Sequence, residues 1–148
     1  FELSSPNAVG TAEFITEALF DDWFKKGHVS KEDRVHFRDH VKAQIDQGKP
    51  VTMAIPMLPN KISCPLKSRG KLPCLAEAGL LARLGEMAGI VNELYHEGKP
   101  EAAGKQMAQF IVVGDGMRFK NSLKNTRATV DSYQRALRWW AAQLGLAE

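Results

Sequence analysis

Val51-Thr52-Met53-Ala54-Ile55, set between Pro50 and Pro56, is the stretch on which the fold turns. Five mostly apolar residues are too few for a helix that stands alone, and prolines on both sides stop a helix from running through them. The segment 51–55 therefore reads as a short buried strand. Towards the N-terminus, Ser30-Lys31-Glu32-Asp33 has the spacing of a capping box, after which Phe37, Val41 and Ile45 recur every fourth residue until Gly48 and Pro50 end the helix. Before that, Thr11 is placed to cap a helix reaching about Lys26, with Phe14, Ile15, Ala18, Leu19 and Trp23 on its apolar side and Gly27 at its end.

Towards the C-terminus, Pro56 and Pro59 force an irregular segment, and a long helix is expected from near Pro73. Its apolar face comprises Leu75, Leu80, Leu81, Leu84, Met87, Ala88, Val91, Leu94 and Tyr95, and Gly98 with Pro100 closes it. Residues 107–113 read as a second buried strand, broken by Gly114-Asp115-Gly116 and followed by a loop or hairpin-like piece through Asn125. A last helix is expected from about Thr129 to Leu144, with Val130, Tyr133, Leu137, Trp140 and Leu144 on its buried side. Strand, helix, strand, helix is the order of a parallel α/β unit, and such sheets take ligands beyond the carboxyl ends of their strands. That places a pocket beside the segments 56–73 and 114–125, both rich in Lys, Arg, Ser and Asn.

Composition narrows the class. With 148 residues, 44% hydrophobic and 25% charged, the chain has the make-up of one ordinary globular domain and no apolar run able to span a bilayer. The first residue is Phe1, not methionine, so the chain is expected to be a piece of something longer. Two cysteines, Cys64 and Cys74, without metal-ligand spacing suit a reducing cytoplasm. A formal charge of +3 and a pI near 8.9 are too mild for a dedicated nucleic-acid binder. The distribution of charge says more: no Asp or Glu occurs from Gln47 to Ala76, while Lys49, Lys61, Lys67, Arg69 and Lys71 all fall in that window. An anionic ligand is the functional reading of this cluster, and a solvated basic loop the structural one.

Several motifs fail. Each Gly-Lys pair (Lys49, Lys71, Lys99, Lys105) lacks the hydroxyl residue that a phosphate-cradling P-loop requires next. Gly114-Asp115-Gly116 lacks the third glycine of a dinucleotide fingerprint. His36 and His40 lie one helical turn apart but no third ligand is placed with them, so neither a metal nor another cofactor is expected. The spacing of Cys64 and Cys74 fits no redox motif.

The stretch Ile55-Pro56-Met57-Leu58-Pro59-Asn60-Lys61-Ile62-Ser63-Cys64-Pro65-Leu66-Lys67-Ser68-Arg69-Gly70-Lys71-Leu72-Pro73-Cys74-Leu75-Ala76-Glu77 does match a pattern. It resembles the segment of isonitrile synthases, the family of pyoverdine and dityrosine biosynthesis, in which a buried strand ends in a Pro-x-Phe-Pro-x-Lys-Ser-like turn. That segment continues through a second lysine and a glycine into a helix opened by Leu-Pro-Asp-x-x-Glu. Tyr95 with the Gly98 loop resembles the family's Tyr-x-Pro-Gly element, and Val113-Gly114-Asp115-Gly116-Met117-Arg118-Phe119 resembles its Ser-Asp-Gly-x-x-Phe turn. The resemblance runs from about Gly48 to Tyr133. It departs at Leu58, where the family has an aromatic; at Ser63, displaced behind Ile62; at Cys74, where the family has Asp; and at Gly114, where it has Ser.

The resemblance implies an α/β fold with a Rossmann-like parallel sheet, flanking helices and a helical N-terminal segment, forming a single domain over 1–148 that is the front half of a longer synthase. It also implies a reaction in which the amine of tyrosine or tryptophan condenses with the ketone of ribulose 5-phosphate, whose carbon becomes the isonitrile of a secondary metabolite. Such a step needs a phosphate anchor, a group to polarise the ketone, and groups to move protons. By their match to the family's positions, Lys61, Glu77 and Asp115 are the candidate catalytic residues, with Ser63, Lys67, Arg69 and Lys71 for substrate and phosphate. Glu77 and Asp115 also have structural readings, as a helix-start carboxylate and a turn residue. Phe119 and Tyr95 are candidate aromatic contacts or core residues. The departures at Leu58, Cys74 and Gly114 favour an alternative, a noncatalytic relative that binds a sugar phosphate or a partner protein. Partners are expected to be small molecules, with no nucleic acid and no membrane. A homodimer or a missing C-terminal half is expected to cover apolar surface around Trp139 and Trp140, or Trp23 and Phe24.

Overall fold

The computed structural model describes residues 8–23, 29–57, 72–114, 121, 125–144 and 146. Helix α1 spans Ala8–Glu17 and runs into a π-helical turn, Ala18–Trp23. Helix α2 covers Lys31–Asp46, strand β1 Val51–Met57, and helix α3 Leu75–Gly98. A 3₁₀ turn at Pro100–Ala102 precedes strand β2, Ala108–Gly114, and helix α4, Arg127–Gln143. The chain is mostly helical, and β1 and β2 pair in parallel as a two-stranded sheet. This is an α/β fold. None of its described helices is long and apolar enough to cross a membrane.

Packing divides the chain into two units, residues 1–53 with 87–109 and residues 54–86 with 110–148. In the first, α1 packs on α2. Ala12, Ile15 and Leu19 are buried on the one side and Val41 and Ile45 on the other, joined by Val51, Val91, Tyr95 and Met107. Ser30 caps α2 by accepting from the Asp33 amide at 3.0 Å, while its own hydroxyl donates to the Asp33 carboxylate at 2.7 Å. At the other end the amides of Gly48 and Lys49 donate to the carbonyls of Ile45 and Gln44, a closure that requires the positive φ of +64° found at Gly48. The same unit registers the two strands: the Val51 amide donates to the Met107 carbonyl at 2.8 Å, and Asn92 Oδ1 accepts from the Met107 amide at 2.7 Å.

In the second unit, Leu81 of α3 meets Tyr133 and Leu137 of α4 in a buried cluster, with Trp140, Ala141 and Leu146 packed against it. Thr126 caps α4 by accepting from the Thr129 amide at 3.2 Å.

Several expectations need correction. Helix α1 starts at Ala8, so Thr11 lies inside it, buried, instead of capping it. The frame of the buried face shifts accordingly, and Phe14 is exposed. Gly27 and Phe24 lie outside the described residues. Strand β1 continues through Pro56, which is tolerated where a strand's edge needs no amide donor; among the described residues β1 pairs with β2 alone. It also alternates, Val51 and Met53 buried and Thr52 and Ala54 exposed, so only one face is covered. Strand β2 is not the fully buried strand that its apolar run suggests: Ile111, Val112 and Val113 are all exposed. Helix α3 begins after Cys74, and Leu75 and Leu80 face outward, leaving Leu81, Leu84, Met87, Val91 and Tyr95 as its buried stripe. Helix α4 begins at Arg127, and Leu144 lies beyond its end, exposed.

Candidate active site

The described part of the site is the first turn of α3. Cys74 stands immediately before the helix, and the amides of Glu77 and Ala78 donate to its carbonyl at 3.1 and 3.2 Å. Three residues on, Glu77 folds back so that its Oε2 accepts from the Cys74 amide at 2.7 Å. This is the carboxylate half of a capping box, satisfying one of the amides that a helix start leaves without an intrahelical acceptor. Its other oxygen, Oε1, accepts from the Tyr133 hydroxyl of α4 at 2.8 Å. Tyr133 is 2% exposed, so packing fixes where that hydroxyl lies.

The electrostatics follow from these contacts. Burial pushes the Glu77 carboxyl up, but hydrogen bonds from the Cys74 thiol and amide and from the Tyr133 hydroxyl outweigh it and bring the pKa down from 4.5 to about 2. Burial, and then the Glu77 carboxylate, raises Tyr133 above the ordinary phenol range. At neutral pH the pair is an anionic acceptor and a neutral donor. Because the folded pKa of Glu77 lies below its unfolded value, its contribution to stability is complete above about pH 4.5 and is lost as pH falls towards 2. Glu77→Gln is therefore expected to flatten the acid limb of the stability curve between pH 5 and 2, read by urea unfolding at fixed pH steps; parallel limbs for the two proteins would contradict the assignment.

Of the residues singled out in the sequence, Glu77 alone among the proposed site residues falls within the described part. Lys61, Ser63, Lys67, Arg69, Lys71 and Asp115 lie outside it, as do Cys64 and Phe119. Tyr95 is fully buried, its hydroxyl donating to the Lys49 carbonyl at 3.1 Å, which makes it a core residue. The sequence places Tyr133 only on the buried side of the last helix, and nothing along the chain signals its hydroxyl contact to Glu77. The helix-start reading of Glu77 is the one these contacts bear out, with Cys74, in the place of the family's aspartate, at capping-box spacing before it. A shallow hollow of about 280 Å³, lined by Leu72, Ala128, Thr129 and Ser132, opens beside the start of α4. Among the described residues no group of three or more His, Cys, Asp or Glu side chains is gathered to hold a metal ion.

A parallel strand pair with a long helix between the two strands along the chain, and an ionised carboxylate fixed at the start of that helix, defines an α/β protein. The chain belongs to the pyoverdine/dityrosine biosynthesis protein family, whose model matches residues 41–148. The L-tyrosine isonitrile synthase of Xenorhabdus nematophila is 29% identical over 94 residues, covering 64% of this chain and 25% of that protein. The crystal structure of the PvcA protein from Pseudomonas aeruginosa shares the fold, with a TM-score of 0.71 at 22% identity over 91% of this chain and 42% of that one. The chain thus spans less than half the length of either relative.

Proposed function

We propose that this chain supplies the front part of an isonitrile synthase acting in the cytoplasm, in which the amine of tyrosine or tryptophan condenses with the ketone of ribulose 5-phosphate. The observation that carries the reading is the family match over residues 41–148, together with similarity to an L-tyrosine isonitrile synthase. In this reading β1 and β2 belong to a Rossmann-like sheet, and the segment after β1 brings Lys61, Ser63, Lys67, Arg69 and Lys71 to the sugar phosphate. Lysine and arginine suit that task because they give phosphate oxygens both charge and donors. Lys61 polarises the ketone, and Asp115 moves protons during fragmentation. Glu77, ionised far below neutrality, is poorly matched to proton transfer at pH 7, where effective acids and bases have pKa values near the working pH. Its part is that of a fixed negative charge.

The test is incubation of the chain, alone and joined to the remainder of its gene product, with L-tyrosine or L-tryptophan and ribulose 5-phosphate, followed by mass spectrometry for the isonitrile. Product is expected from the longer protein, and its absence there discards the reading. Lys61→Ala and Lys67→Ala are each expected to weaken sugar-phosphate binding by about 1.5–3 kcal/mol with the fold retained. Unchanged affinity would remove these lysines from the site.

We also propose that the chain associates, most simply as a homodimer. Trp139 is 58% exposed, and Ile111, Val112 and Val113 are exposed on successive positions of a strand, so that neither sheet face is fully covered there. Sedimentation at micromolar concentration is expected to show a species heavier than the 16.4 kDa chain, and a clean monomer would refute this.

A further inference from the structure

We propose that the exposed face of α1 carrying Glu13, Phe14 and Glu17 docks on the exposed face of α4 carrying Arg135, Arg138 and Trp139 in a second copy of this chain. This deepens the association proposed above and rests on it for the occupant; the charges and exposures of the two helices choose the surfaces.

The two faces match in layout and oppose in charge. On α1, Glu13 and Glu17 stand one helical turn apart with Phe14 beside them, and all three are exposed, the Phe14 ring by 57%. On α4, Arg135 stands about one turn from both Arg138 and Trp139, and these three are exposed as well, Trp139 by 58%. Neighbouring charges already have partners: Asp21 is paired with Arg34 at 3.2 Å, and Asp131 with Arg127 at 3.9 Å. Among the described residues Glu13, Glu17 and Arg138 form no ion pair, and the Arg135 guanidinium makes only a long hydrogen bond, 3.4 Å, to Ser132 on its own helix. Like charges one turn apart repel along each helix, and an opposite face relieves both repulsions at once.

Both halves of the contact belong to one chain. The unit that contains α1 carries nine Lys and Arg against twelve Asp and Glu, and the unit that contains α4 carries eleven against five, so the modest net charge of the chain hides a negative unit and a positive one. A partner of a single charge sign would satisfy one face and be repelled by the other. A second copy satisfies both, and in a two-fold pair the contact is made twice. The aromatic anchor on α4 is held in advance: the Trp139 ring meets Trp140 edge to face with centroids 5.5 Å apart, and Trp140 packs on the cluster of Leu81, Tyr133 and Leu137. A ring so held loses little freedom on binding, and arginine and tryptophan are side chains that interfaces favour.

The experiment is sedimentation of the full chain with two charge-reversed variants, Glu13→Lys/Glu17→Lys and Arg135→Glu/Arg138→Glu, their folds checked by circular dichroism. Wild-type association is expected to weaken as salt rises from about 0.1 to about 1 M and the screening length falls from about 10 to about 3 Å. Each variant alone is expected to associate about tenfold more weakly or worse, and an equimolar mixture of the two to recover wild-type association, because every reversed face then meets a reversed face. Glu93→Lys/Glu97→Lys on α3 changes the net charge of the chain by the same amount at exposed positions of the same spacing, and is expected to associate as wild type does. Should a double reversal not fold, Glu17→Gln and Arg138→Gln, which leave helix propensity almost unchanged, carry the test with a loss of about threefold each. Variants of the two faces that associate as wild type does, a mixture as weak as its components, a control as weak as the α1 reversal, or wild-type association indifferent to salt overturns the proposal and leaves the association to another surface. A wild-type chain that stays monomeric removes both.

Discussion

Gly98→Ala is expected to destabilise the chain by about 2 kcal/mol or more, although alanine normally favours a helix by about 0.8–1.0 kcal/mol over glycine. Gly98 ends α3 without needing an unusual backbone conformation; what it provides is room. A Cβ there would run into the Thr11 side chain of α1, meeting its hydroxyl oxygen first, its Cγ2 at 2.7 Å and its Cβ at 2.8 Å. Thr11 is 2% exposed and β-branched, so turning its χ1 exchanges the methyl and hydroxyl but leaves the Cβ in the way. The two helices must move apart or the rotamers must strain. Thermal unfolding should fall by roughly 4–8 °C at this chain length. Thr11→Ala offers the internal control, since it removes a hydroxyl that is buried with no hydrogen-bond partner among the described residues. By itself it is expected to cost little. In combination with Gly98→Ala it should recover part of the loss, giving a coupling energy of about 0.5 kcal/mol or more. Wild-type stability for Gly98→Ala would show that the helices do not approach this closely.

The second large effect belongs to Tyr95. Its ring is fully buried in the first unit, and truncation to Ala is expected to cost about 3–5 kcal/mol, as for other large aromatic side chains removed from a core. Tyr95→Phe separates the ring from the hydroxyl. The lost hydrogen bond, 3.1 Å to the Lys49 carbonyl, is worth about 1 kcal/mol, and Lys49 is an exposed residue whose carbonyl can turn to water. Burial, and then the nearby negative charge of Glu101, raises the Tyr95 pKa, so the hydroxyl stays a neutral donor through the physiological range. The pair of variants therefore predicts a steep loss for Ala and a shallow one for Phe in chemical denaturation. Equal losses would mean that the hydroxyl, not the ring, organises the site where α3 meets the turn before β1.

Much of the secondary structure was legible because its signals are local. Ser30 accepting from Asp33, Gly48 closing α2 at positive φ, and the stop at Gly98 each depend on groups within about one helical turn. The strand 51–55 was legible from its prolines and its apolar side chains. The parallel pairing of β1 and β2 followed from the helix between them, since a parallel neighbour needs a crossover of that length. The start of α3 was less legible. Glu77 is legible as a helix-start carboxylate, but cysteine is not among the residues favoured before a helix, so its partner at Cys74 is not, and Pro73 sets the expected start two residues early.

What the sequence by itself determined is therefore the set of elements, their order, the family resemblance, and the gathering of basic residues between β1 and α3. Periodicity and capping are properties of neighbours along the chain, and they can be read without knowing how helices cross. Tertiary structure decided the rest: that Tyr133 reaches Glu77, that Thr11 closes on Gly98, that Phe14 and Leu75 face outward, and that the apolar run Ile111–Val113 is exposed. Each of these depends on the angle and separation at which two elements pack. A repeat of three or four residues says that a helix has an apolar side, but which residue of that side meets a hydroxyl from 56 positions away is set only when the cores close around Leu81 and Tyr133.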